Sequence, residues 1–476
     1  MRSLIAVFLL CSSFLLTAQN DWLTRLHDAH SDYIVDELEG RRFKHDHIVA
    51  LLGQLGSDFD VKVEGQSVEG RDIYTVRYGN GATKVLLWSQ MHGDEPTATA
   101  AVMDMFRFLS ASGDGFDDLR RTLRDRLTLV FIPMLNPDGA EDFERRNALG
   151  VDLNRDALRL STPEAQLLKR VRDELDADWG FNLHDQSRFY GAGYPTENMA
   201  TLSFLAPAYD FRRSVNPNRE RAMQVIAQLN AGLQRHMPGK VARYSDAFEP
   251  RAFGDNMQLW GTSTILIESG GYPGDREKQY IRKLNFASIL AACQSIATKG
   301  YRSFTKADYN KIPYNRGGVY NDLLLREVKY RHSDDNEYLL DVAFDLQERE
   351  YLGARRFYFR GRIDDIGDLS YQRGYDEFAG NGYTAEIAKA FPELIQNLAA
   401  VKEMDQMALL RAGYAIVKVQ KPGRPWEQAE QDVLVVGAEG IYDRELAVGL
   451  NPPLIIRDAA GVVKYAVVNG RLIPVE

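Results

Sequence analysis

The sequence predicts an α/β fold: a mixed, largely parallel central sheet flanked by helices, followed by a β-rich C-terminal region. Three observations carry this. Short apolar, β-rich runs at residues 83–90, 127–135, 178–183 and 263–269 alternate with segments of helical periodicity, as in a layered α/β unit. From about Lys299 to Gly318 the texture changes, and strand-like runs such as NEYLLDVAFDL, YAIVKVQ and VVKYAVVNG dominate thereafter. The length of 476 residues exceeds what one core of roughly 250 to 300 residues supports. The expected organisation is a signal peptide over 1–19, a catalytic unit over 20–305 and a β-rich accessory region over 306–476.

Taken in order, Arg2 precedes an apolar stretch from Leu4 to Leu16, followed by Thr17, Ala18 and Gln19. This pattern reads as a cleaved secretory signal, because the run is short for a membrane span of about 20 residues. A secreted or periplasmic protein with no stable span after cleavage is therefore expected. With Cys11 removed, Cys293 is the single remaining thiol, so no intrachain disulfide forms. Polar helical segments occupy about 21–55, and FDVKVEGQSVEG with RDIYTVRYGNG reads as a hairpin. Ser161 or Thr162 caps the periodic run STPEAQLLKRVRDEL, with Pro163 in its first turn. A helical insert near Thr384 to Arg411 interrupts the β-rich region.

Chemistry concentrates at the ends of the apolar runs. In MHGDEPTA, His92 and Glu95 stand three apart directly after VLLWSQ, where the carboxyl end of a strand opens on a crevice. Imidazole and carboxylate suit zinc, and catalytic zinc sites commonly take three protein ligands. His184 ends the run GFNL and supplies the third. Glu268 ends STILI, placed to take a proton from water and return it to a leaving group. Between them, Asn154 and Arg155 can hold an anionic end, and Arg145 or Arg146 can stabilise a developing oxyanion. The pairs His27 with His30 and His45 with His47 have spacings a metal could use. They lack a strand end or an acidic neighbour in this reading, and His236 and His332 read as surface residues.

The order HxxE, NPDG, RxNxxGVDLNR, strand-end His and strand-end Glu resembles the zinc carboxypeptidases of the carboxypeptidase A type, the M14 metallopeptidases; GQSVEGRDI at 65–73 is similar to the same family. The resemblance covers about residues 40–300. It implies one zinc ion held by His92, Glu95 and His184, with Glu268 as general base and acid. Asn154 and Arg155 would hold the terminal carboxylate of a peptide or peptide-like substrate, and Arg145 would be the electrophilic arginine. Tyr244 is the nearest candidate for the family's mobile tyrosine, and Phe253 or Asp255 for a lining of the side-chain pocket.

Other classes find little support. A net charge of −9, from 58 Lys and Arg against 67 Asp and Glu, argues against nucleic acid as a partner. HExxH, GxSxG and GxxxxGK[ST] are all missing from the sequence. The leading reading is a secreted zinc metallocarboxypeptidase. The alternatives are an amidase of the same family acting on acylated amino acids or cell-wall peptides, and an inactive, enzyme-like binding protein.

Overall fold

The computed structural model describes residues 22–195, 198–333 and 336–475. The expected signal peptide lies outside the described residues. Two compact units divide between Gly317 and Gly318. Residues 306–317 thus fall with the first unit, where Tyr309 joins the main core and Asn315–Arg316 pairs with Gly191–Ala192.

The first unit is built on an eight-stranded sheet. In chain order its strands are β1 (Phe59–Gln66), β2 (Asp72–Tyr78), β3 (Thr83–Ser89), β4 (Leu127–Ile132), β5 (Trp179–Asp185), β6 (Leu202–Leu205), β7 (Val241–Arg243) and β8 (Ser263–Ser269). The spatial order is β1-β2-β4-β3-β5-β8-β6-β7. The central four, β4-β3-β5-β8, run parallel; β2 and the β6-β7 pair run against them, and β1, antiparallel to β2, runs with them. All four apolar runs become these central strands, and the expected hairpin becomes β1-β2.

Their continuous apolar character has a simple cause: both faces are covered. Side chains alternate between faces, so Val85, Leu87, Leu129 and Phe131 join one core cluster while Leu86, Trp88, Val130 and Ile132 join the other. Helices α1 (Thr97–Ser110) and α2 (Gln279–Thr298) cover the first face, and residues of the helix Pro163–Leu175 cover the second. The cap of that last helix is Thr162, whose hydroxyl accepts from Ala165 N at 3.3 Å, with Pro163 following. Cys293 lies wholly inside α2 packing, and burial pushes its thiol up to about 12.

The second unit carries an eight-stranded, largely antiparallel sheet and a separate parallel sheet of Lys389–Asn397, Tyr414–Lys421 and Leu434–Gly437. The expected helical insert is shorter than its sequence suggested. Thr384–Ile387 and Lys389–Asn397 are strands, and helices occupy only Leu398–Lys402 and Gln406–Arg411. Pro392 explains part of this, since it removes a helical donor and falls where the strand register slips between Ala390 and Leu394. Among the described residues, no helix is long and apolar enough to cross a membrane.

Candidate metal centre

After β3 the chain turns from β4 toward β5 on the other side, and this reversal opens a crevice at the carboxyl edge of the sheet. His92 follows β3, His184 lies near the end of β5, and Glu268 lies near the end of β8. His184 and Glu268 are register partners on adjacent parallel strands, so their side chains emerge side by side on one face. Gln90, with φ of 48°, makes the left-handed step out of β3, and its side chain donates to Gly93 O at 2.9 Å. Gly93 itself permits the loop to press on the NPDG turn: a Cβ there would stand 2.0 Å from the carbonyl carbon of Gly139. The two motifs are distant in sequence and touch through backbone.

In this edge the Glu95 carboxylate is shared between two imidazoles. Oε1 lies 2.7 Å from His92 Nδ1, and Oε2 lies 2.7 Å from His184 Nδ1. One donor atom from each of His92, Glu95 and His184 falls within 4.8 Å of the others, and all three residues are buried. The ligand set fits zinc on chemical grounds: two imidazole nitrogens and a carboxylate converge on one small volume. Behind it, His92 Nε2 contacts Asp152 Oδ1 at 3.1 Å, the carboxylate-to-histidine support that fixes the orientation of a ligating ring. His184 Nε2 is buried without a protein partner.

Arg145 reaches the same cluster. Its Nη1 lies 3.2 Å from Glu95 Oε1 and 3.0 Å from His92 Nδ1, while Nε donates to Asp152 Oδ2 at 3.1 Å. Arg146 instead donates to Gly150 O on the surface, so of the two arginines only Arg145 faces the crevice. Burial first, and then the charge of Glu95, push Glu268 well above the usual carboxylate range, against the opposing pull of His92 and Arg145. Burial and then the Glu268 charge raise the phenol of Tyr244, whose ring lies tilted against Tyr190 with centroids 6.3 Å apart. The tyrosine selected from sequence therefore stands in the field of Glu268.

Asn154 accepts a hydrogen bond from Phe253 N at 2.9 Å through Oδ1, which leaves its amide nitrogen to donate elsewhere. Arg155 is exposed, and its nearest acidic neighbour is Glu249 at 3.5 Å. Phe253 does not line a cleft: its ring is fully buried in the second core cluster, because its helix turns that face inward. Asp255 is also largely enclosed and accepts from Glu249 N at 3.1 Å.

Several contributors escaped sequence reasoning. Asp152 sits inside the quoted GVDLNR segment, yet nothing local reveals that it braces His92. Asp185 follows His184; its backbone N donates to Glu95 Oε2 at 3.1 Å, and its carboxylate takes Thr97 Oγ1 and Lys278 Nζ. Among the other histidines, His30 is buried against Asp104 at 2.8 Å, His45 Nε2 pairs with Asp72 O, and His47 Nδ1 accepts from Lys44 N. His236 is not a surface residue as read from sequence; it is half-buried and stacked on His27.

Residues 50–183 match the family model for zinc carboxypeptidase, Peptidase_M14. That stretch includes His92, Glu95, Arg145, Asn154 and Arg155 and stops one residue short of His184. An uncharacterised protein of Zymomonas mobilis is 28% identical over 144 residues, which is 29% of this chain and 37% of that protein. Carboxypeptidase D of Mus musculus is 25% identical over 219 residues, 41% of this chain and 15% of its own length. The chain thus spans well under half the length of either relative. Among solved structures, a metallo-carboxypeptidase from Burkholderia cenocepacia superposes at a TM-score of 0.44 with 20% identity, covering 54% of this chain and 70% of that one. Residues 50–183, which carry His92, Glu95 and Arg145 of the cluster, are thus similar to the M14 zinc carboxypeptidases.

Proposed function

We propose that this protein is a secreted or periplasmic zinc metallocarboxypeptidase that hydrolyses the C-terminal peptide bond of a peptide or peptide-like substrate. The observation that carries the proposal is the meeting of His92 Nδ1 and His184 Nδ1 on the two oxygens of Glu95, directly beside Glu268 on the neighbouring strand. One zinc ion held by these three ligands would polarise the scissile carbonyl and acidify water at neutral pH.

The protein's own groups divide the remaining work. Glu268 takes a proton from water on a carboxylate oxygen and passes it to the leaving nitrogen, a task suited to a carboxyl group held partly out of solvent. Arg145 presents its guanidinium to the oxygen on which negative charge develops. Asn154 Nδ2 and the exposed Arg155 receive the terminal carboxylate, which selects a free C-terminus and sets the position of the bond. Tyr244 stands near enough to Glu268 to feel its charge.

Purified protein incubated with a mixture of peptides of varied C-termini, with and without chelator, tests this by mass spectrometry. Loss of single C-terminal residues that stops with chelator is the expected result. Glu268→Gln should keep its zinc and lose at least about 100-fold in turnover, the usual weight of a general base. Full activity in that variant would remove Glu268 from the mechanism, and internal cleavage would reject the exopeptidase reading.

A further inference from the structure

We propose that His27, Asp28 and His236 form a second metal site, separate from the first, which takes a borderline-soft divalent cation such as Zn2+ and fastens residues 24–28 to the end of the helix Pro217–Leu233. One ligand atom from each of the three lies within 4.8 Å of the others. The two imidazoles face each other with ring centroids 3.9 Å apart and planes 28° from parallel. His27 Nδ1 stands 2.9 Å from Asp28 Oδ1. His27 is only 9% exposed, and its Nε2 is buried with no protein partner, a state that folded proteins seldom leave unexplained.

Two imidazole nitrogens with one carboxylate oxygen make a donor set that suits zinc and its transition-metal neighbours, not calcium or magnesium, which take oxygen ligands. The carboxylate of Asp28 is 68% exposed, so the open side of the site faces solvent and admits an ion without unfolding. Thr24 Oγ1 lies 3.2 Å from His236 Nε2, and Tyr280 donates to the His236 carbonyl at 3.3 Å, which hold the second ring in place. Lys283 and Arg235 bring positive charge toward the pair and oppose a cation. The site is therefore weaker than one with two carboxylates and no basic neighbours.

Mechanically, the ligands join parts of the first unit far apart in the chain. Leu23 and Leu26 are sunk in the main core, and Leu23 lies so close to Gly232 that a Cβ there would meet its Cδ1 at 3.1 Å. A metal bridging His27 to His236 locks that packing from outside. Its expected role is structural, since its residues are distinct from those of the His92, Glu95 and His184 centre.

Metal content by elemental analysis and titration with Co2+ read by absorption test the proposal on the full chain. Wild-type protein should bind two equivalents, and His236→Gln should bind one. The pair His92→Ala with His184→Ala should also retain one, which disappears when His236→Gln is added. In that paired background Zn2+ at ten times its dissociation constant should raise Tm by ~2–4 °C, and the added His236→Gln should cancel the rise. If His236→Gln proves poorly folded without metal, Asp28→Asn at the exposed carboxylate reads the same loss. A single equivalent in wild type, or a second equivalent whose affinity changes less than twofold in both variants, would overturn the proposal. Neither result depends on peptidase activity.

Discussion

Asp104 offers the sharpest test of what holds the ligand loops. It is fully buried in α1 and gathers Arg282 Nε at 2.7 Å, Arg282 Nη2, His30 Nε2 at 2.8 Å and Val35 N at 2.8 Å. Arg282, only 1% exposed in α2, spends its other hydrogens on Leu38 O, Val35 O and Gln279 Oε1. Asp104→Ala leaves that guanidinium buried without a counter-charge, which costs about 3–5 kcal/mol. Val35 N–H also loses its acceptor, worth about 1–3 kcal/mol, although terms within one network do not add fully. The expected loss is about 5 kcal/mol, as large as the whole stability of some domains. Replacing both partners, Asp104→Leu with Arg282→Met, should recover at least about 2 kcal/mol, because the stranded charge goes as well. Urea unfolding of the first unit, followed by tryptophan fluorescence, measures each variant. A loss under about 1 kcal/mol for Asp104→Ala, or a double variant equal to the sum of its singles, would refute the reasoning. The functional weight is that α1 begins two residues after Glu95, and α2 begins beside Lys278, which binds Asp185 Oδ2 and Ser269 O.

Asp152→Asn should weaken zinc about 10–100-fold, seen in competition with a chromogenic chelator, because His92 loses its charged support while the ligands remain; unchanged affinity would place Asp152 outside the metal's control. Burial pushes Asp255 up to about 7 against backbone hydrogen bonds that pull it down. A raised carboxylate favours the protonated native state, so ionisation costs stability progressively from about pH 4 to about 7 and fully above that. Asp255→Asn should accordingly stabilise by about 2 kcal/mol at pH 8, with about 4 as the linkage ceiling, and by nothing at pH 4. Denaturant midpoints across that range check it, and a gain independent of pH would show that something other than ionisation is responsible.

What was legible in the sequence follows from how each feature is encoded. The central strands are buried on both faces, so they announce themselves as unbroken apolar runs, and a His or Glu just past such a run is visible at once. The outer strands Leu202–Leu205 and Val241–Arg243 are four and three residues long, too short to show a period. Asp152 was in view as part of a motif, but its partner is His92, reached only through the fold. The stacking of His27 on His236 was invisible for the same reason. Local spacing offered His30 as the partner one turn away, and Asp104 had already claimed it.

The acidic character of the crevice would give a metal bound there a further role. Asp94, Glu95, Asp152, Asp185 and Glu268 crowd the carboxyl edge of the sheet, against the permanent charges of Arg145 and Lys278. Burial, and then the charge of Glu95, push Asp94 up to about 6, and the same two causes act on Glu268. His92 and His184 hold Glu95, and His92 and Arg145 hold Asp152, below the usual carboxylate range, so the standing cost falls on Asp94 and Glu268, and a divalent cation bound at Glu95 would relieve it. Binding at that position therefore couples to folding as well as to chemistry. The zinc reading thus requires that chelation lower the stability of the first unit, and that Glu95→Gln, which removes one of the crowded charges, make its unfolding less sensitive to chelator than wild type.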